Sequence, residues 1–91
     1  MTSIALFGAG GKMGTRLARN LIGSRFDIRP VEVSEAGRAR LQADLGLTCL
    51  PVEEALEGAE VVVLAVPDTA IGKVASGIID KLAPGTMVVV L

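Results

Sequence analysis

Histidine, tryptophan and tyrosine are absent from the 91 residues, and cysteine occurs once, at Cys49. Without histidine the chain contains no Ser-His-Asp or Cys-His nucleophilic system and no imidazole metal ligand. One cysteine forms neither an intrachain disulfide nor a thiolate cluster, so no metal site is expected and a reducing, cytoplasmic setting fits. No sign of charge predominates either. Nine basic residues against ten acidic ones leave a formal charge of -1, too little to gather nucleic acid or an anionic membrane over distance. The longest apolar run, Val61 to Pro67, falls far short of the roughly 20 residues that cross a bilayer. The start, Met1-Thr2-Ser3, has no basic segment ahead of Ile4-Ala5-Leu6-Phe7 and does not read as a signal peptide. The expectation is a soluble protein with neither nucleic acid nor membrane as partner.

What remains is apolar and rich in glycine: 51% hydrophobic, 21% charged, with 11 glycines. That composition buries a core, and the length allows one domain, residues 1–91. Ile4 to Phe7, Val61 to Val66 and Met87 to Leu91 are consecutive apolar stretches too short for helices, so they read as strands inside a parallel sheet. Pro30 to Val33 reads as a further strand with its proline at the start of the paired region, and Leu47 to Leu50 as a brief one stopped by Pro51.

Between the strands, one helix carries Met13, Leu17, Ala18 and Leu21 and stops at Gly23-Ser24. A second, capped by Ser34, runs through Leu41 and Leu45 to Gly46. A short one surrounds Glu53 to Glu57, and Thr69 to Leu82 places Ile71, Val74, Ala75, Ile78, Ile79 and Leu82 on one face. Strand and helix alternate, which with right-handed crossovers implies an α/β doubly wound parallel sheet of Rossmann type, strand order 3-2-1-4-5. Leu91 ends the chain inside the fifth strand, and the expectation is the N-terminal part of a longer protein. Phe7, Phe26 and Cys49 are expected in the core, Cys49 as a small hydrophobe rather than a reactive thiol.

Gly8-Ala9-Gly10-Gly11-Lys12-Met13-Gly14 joins the first strand to the first helix, where the pyrophosphate of a dinucleotide docks. Unpaired N–H groups at a helix N-terminus hold phosphate without basic side chains, and a Cβ would block their approach. Met13 stands where G-x-G-x-x-G requires its third glycine, so the loop is a G-x-x-G-x-x-G variant on Gly8, Gly11 and Gly14. Four glycines in seven residues exceed what a plain turn needs.

Glu32 follows Gly14 by 18 residues, at the end of the second strand, where an acid accepts hydrogen bonds from the adenosine ribose. It would repel a 2′-phosphate, and no adjacent arginine follows it, so NAD is favoured over NADP; Glu35 is the fallback. Val66, Pro67 and Asp68 close the fourth strand at the crevice and are expected to line the cofactor. Asp68 or Thr69 is also expected to cap the next helix. The candidate cofactor set is therefore Gly8, Gly10, Gly11, Lys12, Met13, Gly14, Glu32, Val66, Pro67 and Asp68. No catalytic residue is assigned.

The loop Gly8 to Gly14 and the segment Ala65-Val66-Pro67-Asp68 resemble the N-terminal NAD(P)-binding domain of the β-hydroxyacid and 6-phosphogluconate dehydrogenase-like superfamily. The G-G-x-M-G form also occurs in prephenate dehydrogenases. More narrowly, the sequence is similar to the D-apionate oxidoisomerases, which oxidise a branched sugar acid with NAD while rearranging its carbon skeleton. The resemblance implies pyrophosphate contacts from the backbone of Gly11, Lys12 and Met13, ribose contacts from Glu32, and Asp68 at the edge of the site. It also implies catalytic groups on a helical C-terminal domain, a small hydroxy acid or sugar acid as substrate, and a homodimer formed through that domain. Two other readings stay open: a non-catalytic nucleotide-binding or redox-sensing module using the same loop, and an S-adenosylmethionine-dependent methyltransferase.

Overall fold

The computed structural model describes residues 2–91; Met1 and the side chain of Asp68 lie outside the described residues. Four strands, β1 (Ser3–Phe7), β2 (Asp27–Val31), β3 (Val61–Leu64) and β4 (Met87–Val90), form one sheet in the order β2-β1-β3-β4. Every pairing is parallel. The helices are α1 (Lys12–Leu21), α2 (Glu35–Leu45), α3 (Val52–Leu56) and α4 (Asp68–Ile78), the last running into a 3-10 turn at Ile79–Lys81.

The period of two along each strand sorts the core into two layers. Ile4, Leu6 and Val63 point to one face, where Leu17, Ala18 and Leu21 of α1 and Leu41 and Leu45 of α2 cover them. Ala5, Phe7, Val62 and Leu64 point to the other, under Ala55 and Leu56 of α3 and Ile71, Val74, Ala75 and Ile78 of α4. The sheet is thus wound on both faces, as expected.

The order 3-2-1-4-5 requires correction. Residues 47–50 form no strand, and removing that strand from the expected order leaves the one observed. Their link to the sheet is the Leu50 N–H donating to the Pro30 carbonyl at 2.9 Å. Within a strand a residue's N and C=O point the same way, so the Pro30 nitrogen also faces this outer edge. Having no hydrogen, it cannot return the bond that would extend a ladder. Pro30 itself is the fourth residue of β2, opposite Leu6, not the first of its paired region. An edge strand tolerates it there because its bonds to β1 come from its neighbours: the Val31 carbonyl, for example, accepts from the Gly8 N–H at 2.9 Å.

Smaller expectations also change. Phe26 is 38% exposed and Met13 53% exposed, whereas Phe7 is buried. Helix α4 ends at Ile78, and Ile79 turns outward in the 3-10 segment. The N-cap of α4 is Pro67, which has no side-chain acceptor, so the Thr69 hydroxyl does not cap it. The apolar run at β4 is not buried on both faces: Met87, Val88 and Val90 are exposed and Val89 is half-buried.

At the opposite end of the sheet from the glycine loop, Arg29 fastens the start of β2. It pairs with Asp27 at 3.2 Å, donates to Ser3 Oγ, and reaches the Ala55 and Glu57 carbonyls at α3. These bonds hold β1, β2 and α3 in register below the site.

Candidate cofactor site

Strand β1 continues to β2 on one side while β3 lies on its other side, so the crossovers part company above the C-terminal end of β1. Open α/β sheets bind ligands at such a point. A cleft of about 330 Å³ opens there, with the loop Gly8–Gly11 as one wall, Glu32 to Ser34 and Arg40 as another, and Ala65 to Pro67 with Ala70 and Val74 as the third.

Close packing dictates the glycines in the loop. Gly8 has φ +78°, and a Cβ there would lie 2.3 Å from the Ala65 carbonyl oxygen. A Cβ on Gly14 would lie 2.1 Å from the Gly8 oxygen, and one on Gly10 would lie 2.6 Å from the Gly37 Cα. Gly11 differs. Its φ is -79°, an ordinary value, and the nearest atom to a Cβ there is the Gly8 oxygen at 3.4 Å, so a side chain at this lining position meets no steric obstacle from the fold.

The loop's own amides are largely engaged. Gly8 and Ala9 donate to the Val31 carbonyl, Gly10 to Glu32, and Gly11 to the Gly8 carbonyl at 3.0 Å. The first bond of α1 is Thr15 N–H to the Gly11 oxygen, so the N–H groups of Lys12, Met13 and Gly14 are the ones a helix leaves without an acceptor. No side chain caps this N-terminus, and its first turn holds no acid. It presents partial positive charge to an incoming anion.

Glu32 stands one residue beyond β2. One carboxylate oxygen accepts from the Gly10 N–H at 2.8 Å and the other from the Ser34 N–H at 3.0 Å. A carboxylate has about four acceptor positions, so each oxygen retains one. The side-chain stem packs on Gly37, where a Cβ would lie 2.8 Å away.

Of the sequence candidates, Gly8, Gly10, Gly11, Glu32, Val66 and Pro67 line the cleft together. Lys12, Met13 and Gly14 do not line it but form the first turn of the helix rising from its wall. Asp68 opens α4, and its side chain lies outside the described residues. Glu35 is not among the lining residues.

Sequence reasoning missed three participants. Gly37 lets α2 close on the loop; a glycine inside a helix, where it costs about 1 kcal/mol against alanine, was its available signal. Arg40 lines the cleft and donates to the Gly10 carbonyl at 2.6 Å, eight residues beyond the acid and so outside a search for an adjacent arginine. Val33 lines the cleft while 89% exposed, an apolar surface facing water.

Cys49 is half-buried against the core layer beneath α1 and α2. Burial pushes its thiol above the usual range; the Glu32 carboxylate adds to the rise and Arg38 opposes it. Among the described residues no cluster of three or more Cys, Asp or Glu side chains is placed to hold a metal ion, and no helix is long and apolar enough to cross a membrane.

A family model described as NADP oxidoreductase coenzyme F420-dependent matches residues 3–90. The chain is 78% identical over its whole length to a D-apionate oxidoisomerase of Rhizobium rhizogenes, and 59% identical over 97% of its length to one of Cupriavidus necator. It spans about a third of the length of these relatives, 33% and 32%. A semialdehyde dehydrogenase NAD-binding protein from Cupriavidus necator, solved in complex with calcium and NAD, superposes with a TM-score of 0.97 at 57% identity, covering all of this chain and 33% of that one. An NADH-preferring ketol-acid reductoisomerase from an uncultured archaean, at 23% identity and a TM-score of 0.83, shares the fold over 98% of this chain and 28% of that one.

Proposed function

The chain belongs to the family described as NADP oxidoreductase coenzyme F420-dependent, and from that premise we propose that it is the NAD-binding part of an oxidoreductase acting on a sugar acid. The observation that carries this reading is the pairing of Glu32 with the glycine loop: an acid with one free acceptor position on each oxygen, beside a helix N-terminus free of acid and side-chain cap.

In this reading the N–H groups of Lys12, Met13 and Gly14 hold the pyrophosphate, with Gly8, Gly10 and Gly11 leaving it room. Glu32 takes the two hydroxyls of the adenosine ribose. Val33, Val66 and Pro67 offer apolar surface to the adenine, as expected for a site that is mostly apolar with few polar anchors. NAD held there would supply a hydride acceptor for the carbon bearing the substrate's hydroxyl; the chain's own part is to bind and orient it.

The family's description names NADP, yet the site favours NAD. A ribose 2′-phosphate would bring its charge against the Glu32 carboxylate.

The D-apionate oxidoisomerase relatives point to a branched sugar acid as substrate. Among the described residues lining the cleft, the ionisable ones are Glu32, assigned to the ribose, and Arg40, bonded to the Gly10 carbonyl. Proton transfer at the substrate is therefore assigned to the part of the relatives this chain does not match. Assembly as a homodimer through that part, and a cytoplasmic location, belong to the same proposal.

The test is to follow NADH formation with D-apionate and a panel of 2- and 3-hydroxy acids, comparing the 91-residue chain with a relative-length protein that begins with it. Turnover of D-apionate by the longer protein alone is the expected result. Turnover by the short chain would put the catalytic groups within it, and no turnover of any hydroxy acid by either would favour the non-catalytic module.

A further inference from the structure

Gly10 and Gly11 form a peptide bond between two glycines, immediately before α1. Neither residue has a Cβ to restrict rotation, so this peptide plane is the part of the loop freest to flip. A flip would leave the path of the chain nearly unchanged but reverse the Gly10 carbonyl and the Gly11 N–H, opening the turn that leads into α1. Two contacts oppose it. On one side of the plane the Gly11 N–H donates to the Gly8 carbonyl at 3.0 Å; on the other, the Gly10 carbonyl accepts from the Arg40 guanidinium at 2.6 Å.

Arg40 can reach because α2 is pressed onto the loop. Gly37, one turn earlier on the helix, leaves no space for a Cβ on Gly10, and Ser34 fixes the helix start by accepting from the Gly37 N–H at 3.1 Å. Glu32 holds the N–H of the same Gly10 from the end of β2. Gly10 is thus gripped at its N–H, its Cα and its carbonyl by three residues of one segment, 32–40.

We propose that Arg40 is a positioning residue for the dinucleotide loop: by holding the Gly10 carbonyl it keeps the Gly10–Gly11 peptide in the orientation that closes the Gly8–Gly11 turn against the cleft, and it acts without touching the cofactor. The proposal rests on the NAD-binding reading given above. It separates the two arginines near the acid, since Arg38 approaches only the Glu32 backbone carbonyl, at 3.5 Å.

The experiment titrates NADH and NADPH calorimetrically into the wild-type protein, Arg40→Met and Arg40→Lys, and records the Gly10 and Gly11 amide signals of each by NMR without nucleotide. Arg40→Met keeps the apolar stem and loses the donor, so both dinucleotides should weaken by the same factor, about 3–10-fold, the net worth of one ordinary hydrogen bond. Arg40→Lys, with an ammonium able to meet one carbonyl, should restore affinity to within about 2-fold. The Gly11 amide signal should shift or broaden in Arg40→Met and return toward wild type in Arg40→Lys.

Unchanged NADH affinity in Arg40→Met would overturn the proposal. So would a loss confined to NADPH, which would make Arg40 a direct phosphate ligand. If the wild-type protein bound neither dinucleotide, the cofactor reading would fail by itself; an unperturbed Gly11 signal in Arg40→Met would then still refute the clamp. Should Arg40→Met not fold, an Arg40→Lys protein that folds but binds NADH more than about 10-fold more weakly would count against it, since the carbonyl bond is one that lysine can make.

Discussion

The Glu32 carboxylate accepts a 2.8 Å hydrogen bond from the Gly10 amide, joining the end of β2 to the glycine loop across 22 residues of sequence. The acid proposed for the ribose and the loop proposed for the pyrophosphate are therefore joined, and a change in either should register in both. Glu32→Gln keeps an acceptor for Gly10 and loses the charge. NADH affinity should fall about 10-fold, in line with one or two charge-assisted bonds weakened to neutral ones, while NADPH falls less. Fluorescence titration with both dinucleotides measures the change in preference.

The glycines of the loop should separate into two kinds. Gly14→Ala drives a methyl into the Gly8 carbonyl and should destabilise the fold by about 1–3 kcal/mol, the usual cost of overpacking. Gly11→Ala meets no such obstacle and should keep its thermal midpoint within a degree or two while losing NADH affinity, because its methyl is added at a position lining the cleft. Thermal denaturation read beside NADH titration distinguishes the two; equal midpoints would show that α1 can shift to accommodate position 14.

Val33 has 89% of its surface exposed and so contributes little to folding, yet it faces the cleft. Val33→Asp should leave stability within about 0.5 kcal/mol of wild type. It should weaken NADH by about 10-fold or more, through loss of apolar surface and a charge set beside Glu32. Denaturant melts and NADH titration check both halves.

Cys49 should be a slow nucleophile. Burial first, and Glu32 second, raise its thiol, with Arg38 acting the other way. Below the ordinary thiol range, about 8.5, the folded and unfolded states are both protonated and the group is neutral to stability. As pH rises through that value the unfolded chain ionises first, so stability is lost until the folded thiol ionises in turn. Denaturation midpoints of wild type and Cys49→Ala should diverge above this pH, the variant losing less. Alkylation of Cys49 in the folded protein at neutral pH should be slower than in denaturant, and Glu32→Gln should quicken it.

Much of this was legible in the sequence because it rests on local pattern. Apolar runs at Ile4–Phe7 and Val61–Leu64 mark strands covered on both faces, and Ser34 and Gly46 bracket α2 as an N-cap acceptor and a left-handed C-cap should. The loop's place between strand and helix located the cleft. What escaped depends on contacts distant in sequence. Nothing at Leu47–Leu50 itself shows that Pro30 has removed a donor it would need, and Arg40 lies 30 residues from the carbonyl it holds. Met87–Leu91 reads as interior because it is apolar, but burial depends on what lies over a strand, which its own sequence does not encode.

Calorimetric titration of the 91-residue chain with NADH and with NADPH asks whether segment 32–40 and the glycine loop together form an NAD site. NADH should bind and NADPH should bind more weakly, with Glu32→Gln narrowing the gap. NADPH binding as tightly as NADH would remove the ribose role from Glu32, and neither dinucleotide binding to a folded chain would rule out an NAD site.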